Sequence, residues 1–193
     1  IGLNKKLGLE FKGEGKPFIP QPSDKNWSNL SLPWMAFGYG VSLTPMQTLT
    51  YYNAVANNGK MVKPQLVSEI KQWNKTIKKY NTVVMNPKIC STETISKLKA
   101  VLANVVKKGT GSKLYSKDFS MAGKTGTAQV NYSKNGGSEK YYASSFVGYF
   151  INQAQLIINI MEQMLQDPFL KGLHKKYLQM LHRQMRLTTS IEK

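Results

Sequence analysis

The sequence predicts an α+β domain, an antiparallel sheet with flanking helices, and three stretches carry that prediction. Thr44-Pro45 has the form of an N-cap followed by proline at the first helical position, and Met46, Leu49, Tyr52 and Val55 recur after it at helical spacing. Ser91 opens a second helix, with Ile95, Leu98, Leu102 and Val105 on one face. The runs Ser120 to Val130 and Tyr141 to Phe150 are β-rich and flank a polar segment centred on Gly136-Gly137, which reads as a hairpin with two antiparallel strands.

Taken in order, residues 1 to 33 are rich in Gly, Pro and Lys, and Gly13-Glu14-Gly15-Lys16-Pro17 and Ile19-Pro20-Gln21-Pro22 force extended or turn conformations. Leu3, Leu7 and Leu9 read as the end of a helix that begins upstream, so the chain is expected to start mid-domain. The aromatic run Trp34 to Tyr39 reads as core. The first helix is placed at 45 to 57, with Asn57-Asn58-Gly59 as its left-handed stop. From Met61 to Val84 the chain reads as a lysine-bearing hairpin: a strand starts at Lys63-Pro64, Leu66 to Trp73 alternates, Asn74-Lys75 turns, and Thr76 to Val84 returns. Lys107-Lys108 sits at the negative end of the second helix, Gly109 terminates it, and Thr110-Gly111-Ser112 is a flexible link to the next strand.

That strand, Ser120 to Val130, carries Gly123-Lys124-Thr125-Gly126-Thr127 and organises the chemistry of the chain. Glycine weakens a strand that only has to pack, but it lets a ligand or another backbone come close. Lys124 offers an ammonium, Thr125 and Thr127 offer hydroxyls, and the Thr127 N–H can point at an oxyanion. Considered alone, the triplet is weak evidence of a site, and an exposed edge strand carrying a solvated lysine is the favoured reading.

Composition narrows the function. One cysteine, Cys90, excludes an internal disulfide and any multi-cysteine metal site, and with two histidines a metal centre is not expected. No run is long enough to span a bilayer. The net charge of +17 invites a nucleic-acid reading, but residues 1 to 150 hold 21 lysines and no arginine, placed singly or in pairs. Solvated lysine faces, with some attraction to an anionic polymer or membrane surface, fit that distribution, and no nucleic-acid partner is expected.

Three stretches together resemble the transpeptidase domain of the class B penicillin-binding proteins: Phe37-Gly38-Tyr39-Gly40 with Thr44-Pro45-Met46-Gln47, then Ala56-Asn57-Asn58-Gly59, then Lys124-Thr125-Gly126-Thr127-Ala128. Residues 1 to 150 are most similar in style to the division-type enzymes of the Bacteroidetes group. The resemblance implies an incomplete penicillin-binding-protein transpeptidase fold, which is serine β-lactamase-like. It further implies a peptidoglycan D,D-transpeptidase in which the serine of an S-x-x-K motif attacks the D-Ala-D-Ala stem peptide, with β-lactams bound as substrate mimics and no cofactor. By the same resemblance Lys124 would assist proton traffic and, with Thr125, Gly126 and Thr127, bind the substrate carboxylate, while the Thr127 N–H would complete the oxyanion hole. The implied setting is the periplasmic face of the inner membrane, among divisome membrane proteins.

The chain departs from the family at two motifs. No S-x-x-K precedes Trp34, and no S-x-N lies at the expected upstream place. Ser96-Lys97-Leu98-Lys99 fits S-x-x-K formally but stands in the wrong order, so the fragment is expected to lack its nucleophile and to be inactive. A serine β-lactamase or D,D-carboxypeptidase relative shares the triplet, although Gly40 to Gln47 argues against both. A basic binding module for anionic glycan or nucleic acid is the alternative from another class.

Residues 1 to 150 thus read as the C-terminal portion of a transpeptidase domain, and 151 to 193 as an aberrant tail. Both arginines, both histidines and four of the nine methionines fall in that tail. Ile160 to Lys171 can be back-translated so that a frame one base earlier reads YYGADVAGPVFK, which resembles the family's passage into its C-terminal helix; Met161 and Glu162 force the glycine that follows the two tyrosines. The rival reading is a basic amphipathic helix through Ile160, Met164 and Leu165, broken at Pro168.

Overall fold

The structure is a computed structural model, described over residues 1–10, 12–117, 120–130 and 141–151. Its elements run α1 (Ser31–Ala36), α2 (Pro45–Ala56), β1 (Met61–Val62), β2 (Glu69–Gln72), β3 (Lys75–Lys79), β4 (Val84–Asn86), α3 (Thr92–Lys107), a 3-10 turn (Ser112–Leu114), β5 (Met121–Val130) and β6 (Tyr141–Phe150). Among the described residues, 1–124 and 147–151 form one compact unit and 125–130 with 141–146 belong to a second. The strands pair as β1 with β4, β2 with β3 and β5 with β6. The expected hairpin loop and the tail beyond Ile151 lie outside the described residues.

Helix α2 begins where the sequence places it. The Thr44 hydroxyl accepts from the Gln47 N–H (3.2 Å) and the Gln47 side chain accepts from the Thr44 N–H (2.8 Å), a reciprocal capping box with Pro45 at the first position. Asn58 (φ 54°) and Gly59 (φ 89°) end it in the left-handed region, where glycine is unstrained. Its buried face differs from the apolar stripe read in the sequence: Val55 is buried, but Gln47 and Thr50 are buried completely. Each is satisfied: Thr50 donates to the Met46 carbonyl (2.7 Å), and Gln47 Nε2 donates to the carbonyls of Leu3 (3.1 Å) and Lys5 (2.8 Å).

Those last two bonds explain why no helix forms at the N-terminus, contrary to the expectation for Leu3, Leu7 and Leu9. The carbonyls that a helix would use internally are spent on Gln47, and the amides of Leu7, Gly8 and Leu9 donate to the Glu14 carboxylate. Desolvation of Glu14 pulls its titration upward, but the amides of Leu9, Leu7 and Gly8 outweigh it and hold the carboxyl below its usual range. Phe18 and Ser42 exchange two backbone bonds of 2.8 Å, fastening the same segment ahead of α2.

The aromatic run is not core. Trp34 to Ala36 end the six-residue α1, Phe37 is its C-cap and Gly38 (φ 90°) turns the chain off, with Trp34 edge-on to Tyr39 (5.3 Å), yet Trp34 is 47% and Phe37 84% exposed. No residue of α1 is buried, and no described element covers it.

The lysine-bearing hairpin exists, shifted by one residue. Its turn is Trp73-Asn74, both at positive φ (50° and 61°), rather than Asn74-Lys75. The first strand ends at Val62, before Lys63-Pro64, and Val84 belongs to β4, which returns to pair with β1. Helix α3 is capped by the Ser91 hydroxyl, which accepts from the Thr94 N–H (3.1 Å). Its fully buried residues are Ile95, Leu102 and Val106, so Val106 rather than Val105 faces inward. The link at Thr110 to Ser112 leads into the 3-10 turn instead of a free coil.

The core of the first unit gathers Val55 of α2, Leu102 of α3, Ala122 of β5 and Tyr149 of β6, with Tyr52 and Leu98 packed against them. Burying each large side chain there contributes about 1.5–3 kcal/mol. Tyr149 is 3% exposed, and among the described residues its hydroxyl has no hydrogen-bond partner. Burial, reinforced by Tyr52, pushes its phenol up to about 12. The unfolded chain ionises near pH 10, so this residue's contribution to stability is present below pH 10 and is lost as pH rises towards 12. Tyr149→Phe is therefore expected to leave neutral-pH stability unchanged or raise it by up to about 1 kcal/mol, and to remove part of the alkaline fall. Denaturant titrations at pH 7 and pH 11 check both; a loss above about 2 kcal/mol at pH 7 would mean that the hydroxyl has a partner.

Candidate active site

Strand β5 is anchored at its root and exposed beyond it. Ala122 and Gly123 are buried, Ala122 completely, and the Ile151 N–H donates to the Ser120 carbonyl (2.8 Å), tying the end of β6 to the start of β5 in the antiparallel sense. The next residues leave the core. Lys124 and Thr127 are exposed, while Thr125 and Gly126 are half-buried. All four residues singled out in the sequence thus lie consecutively on one strand, directly after its packed root.

Gly126 is bare for a local reason. A Cβ built on it would stand 2.5 Å from Ser145 Oγ of β6, well inside contact distance. Its φ is not in the left-handed region, so its lack of a side chain serves close approach rather than backbone freedom. Ser145 is the site neighbour that the sequence reading missed; its signal is a pair of serines, Ser144-Ser145, within an otherwise apolar and aromatic strand.

The formal S-x-x-K on α3 is used structurally. The Ser96 hydroxyl donates to the Thr92 carbonyl one turn back (3.1 Å). Lys99 Nζ donates to the Ala56 carbonyl (2.9 Å) and to Asn58 Oδ1 (2.7 Å), placing a cation at the C-terminus of α2. A nucleophile needs its base within hydrogen-bond reach, and both members of this pair are committed elsewhere. The Thr44-Pro45-Met46-Gln47 stretch is likewise structural: it builds the cap of α2 and fastens the N-terminal segment. Among the described residues no group of three His, Cys, Asp or Glu side chains could hold a metal ion.

The family model for the penicillin binding protein transpeptidase domain matches residues 1–176. The chain belongs to this family. It is 31% identical over 155 residues to stage V sporulation protein D of Bacillus subtilis, covering 77% of this chain and 23% of that protein. It is 30% identical over 150 residues to peptidoglycan D,D-transpeptidase FtsI of Buchnera aphidicola, covering 77% of this chain and 24% of that protein. Among solved structures it is similar to penicillin binding protein 3 of Mycobacterium tuberculosis complexed with ampicillin, with a TM-score of 0.67, 25% identity and coverage of 85% of this chain and 38% of that one. The transpeptidase-domain chain thus spans less than a quarter of the length of these two sequence relatives. Its fold is accordingly an incomplete version of the penicillin-binding-protein transpeptidase fold.

The contact at Gly126 gives a direct test. Gly126→Ala is expected to be near neutral while Ser145 is present, since its exposed hydroxyl must rotate away, and to become stabilising by up to about 1 kcal/mol in a Ser145→Gly background, where alanine's advantage in a strand is felt. Equal effects in the two backgrounds, measured by denaturant unfolding, would show that Ser145 does not press on this position.

Proposed function

We propose that residues 1 to 150 are the C-terminal portion of a transpeptidase domain whose complete protein cross-links peptidoglycan stem peptides through an acyl-serine intermediate. The observation that carries this reading is the strand itself: Lys124, Thr125, Gly126 and Thr127 follow one another on β5, beyond a root fixed in the core. In this role the Lys124 ammonium takes part in proton traffic and holds the terminal carboxylate of an acyl-D-Ala-D-Ala stem. The hydroxyls of Thr125 and Thr127 hydrogen-bond that carboxylate, and Gly126 lets the substrate backbone lie close. The Thr127 N–H is one oxyanion donor, the other being the N–H of a serine that this chain does not hold at the family's place. A fixed donor on a strand needs no reorganisation when charge develops, which is why such a wall can stabilise a tetrahedral intermediate.

β-Lactams fit the same site as strained mimics of acyl-D-Ala-D-Ala, and a carboxylate on the drug would meet the same lysine and threonines. The proposed place of work is the periplasmic face of the inner membrane, with divisome membrane proteins as partners of the complete protein. In a complete protein carrying this chain, labelled penicillin should form a lasting acyl adduct, and Lys124→Ala should slow its formation by about 10²-fold or more. The 193-residue chain alone should form none. Undiminished acylation in the Lys124→Ala protein would remove the strand from the chemistry.

We further propose that residues 151 to 193 are translated out of frame, on the strength of the forced glycine and the shift in composition. The nucleotide sequence decides it: codons that read YYGADVAGPVFK one base away support the shift. Codons that yield no such peptide in either alternative frame make the tail a genuine segment.

A further inference from the structure

The β2–β3 hairpin has a composition that packing does not explain. Every residue of β3 is exposed, and Trp73, at the tip, is 93% exposed. A two-residue turn with both residues at positive φ favours Asn, Asp or Gly; a tryptophan there is strained, and no contact with the body of the protein offsets it. Strain held without packing is a reason to look for a ligand.

The charges of the hairpin are unevenly matched. Glu69 accepts from Lys71 (2.6 Å) and from the Thr76 hydroxyl (3.3 Å), with Lys79 directly opposite, so the carboxylate is matched. Lys75 pairs across the ladder with Gln72 and Lys78 with Ile70, on either side of a register shift, so neither faces a carboxylate across the ladder. Lys78 lies over the Tyr80 ring (4.5 Å). The tip therefore offers one open indole, the Asn74 amide and the Lys75 ammonium, with Lys78 further back along the strand.

We propose that this hairpin binds the glycan strand of peptidoglycan away from the reacting bond, a proposal that rests on the transpeptidase reading for the identity of the polymer. The axial C–H groups of an amino sugar stack on an indole face, and the carboxylates of the attached stem peptides match Lys75 and Lys78. A bilayer fits less well. Membrane insertion needs a contiguous apolar wedge several ångströms deep, whereas Trp73 is flanked by Gln72, Asn74 and Lys75, with Ile70 and Ile77 set back along the strands.

Cosedimentation of the 193-residue chain with purified insoluble peptidoglycan tests the proposal. Trp73→Ala should weaken pelleting by about tenfold and Trp73→Tyr should largely restore it. Lys75→Gln with Lys78→Gln should weaken it at low salt and flatten its salt dependence. Pelleting indifferent to Trp73→Ala, or Trp73-dependent binding to phosphatidylglycerol vesicles in place of the polymer, would overturn it. Lys97→Gln serves as the control, since Lys97 is a surface lysine on α3 paired with Glu93, and it should leave pelleting intact. Loss of polymer binding in the Trp73 variant and loss of penicillin acylation in Lys124→Ala of the complete protein report on the hairpin and the transpeptidase reading separately.

Discussion

A buried amide left without partners costs on the order of 1–3 kcal/mol, and Gln47, which has no exposed surface, escapes that cost by drawing the rest of the N-terminal half around it. Its oxygen accepts from the Thr44 N–H and hydroxyl, and its nitrogen donates to Leu3 and Lys5. One side chain therefore starts helix α2 and fixes a segment that has no helix or strand of its own. The Gly15 position follows from the same arrangement, since a Cβ there would stand 2.9 Å from Thr44 Cγ2. Replacing any of these partners by a group of the wrong shape exposes the amide or breaks the cap.

From that fixed helix the order passes to the sheet. Val55 on the far turn of α2 meets Leu102, Ala122 and Tyr149, so α2, α3 and the roots of β5 and β6 share one core. Lys99 reinforces the same junction by closing the end of α2 from α3. The consequence for chemistry is positional. The strand is gripped at Ala122 and Gly123, and Lys124 follows them directly in the same unit.

The lysines divide into groups with different work. Lys99 is structural, Lys71 and Lys97 pair with Glu69 and Glu93 on the surface, and Lys124 stands on the motif strand. Exposed pairs such as Lys97–Glu93 contribute about 0.3–0.5 kcal/mol at most, so the large positive charge is not a stability device. Its chemistry lies in attraction to anions, and the β2–β3 hairpin concentrates that attraction beside an exposed indole.

What the sequence determined by itself was local. Thr44, Pro45 and Gln47 specify a helix start through hydrogen bonds that span three residues, Ser91 does the same for α3, and Lys124 to Thr127 stand out as the proposed site because those residue types do little for packing. Asn57-Asn58-Gly59 was legible for the same reason, as a left-handed stop needs only its own φ angles. Tertiary structure decided everything that depends on a distant partner. Leu3, Leu7 and Leu9 have helical spacing, but Gln47, more than forty residues on, claims the carbonyls of Leu3 and Lys5. Trp34 and Phe37 look like core residues, and remain exposed because no described element packs over the end of α1. Ser96 and Lys99 match a nucleophile motif by spacing, and only the fold shows that one bonds its own helix and the other caps its neighbour. Ser145 faces Gly126 through strand pairing, which no spacing along the chain encodes. Local geometry is written in neighbouring residues; which distant groups compete for the same hydrogen bonds is settled only when the chain is folded.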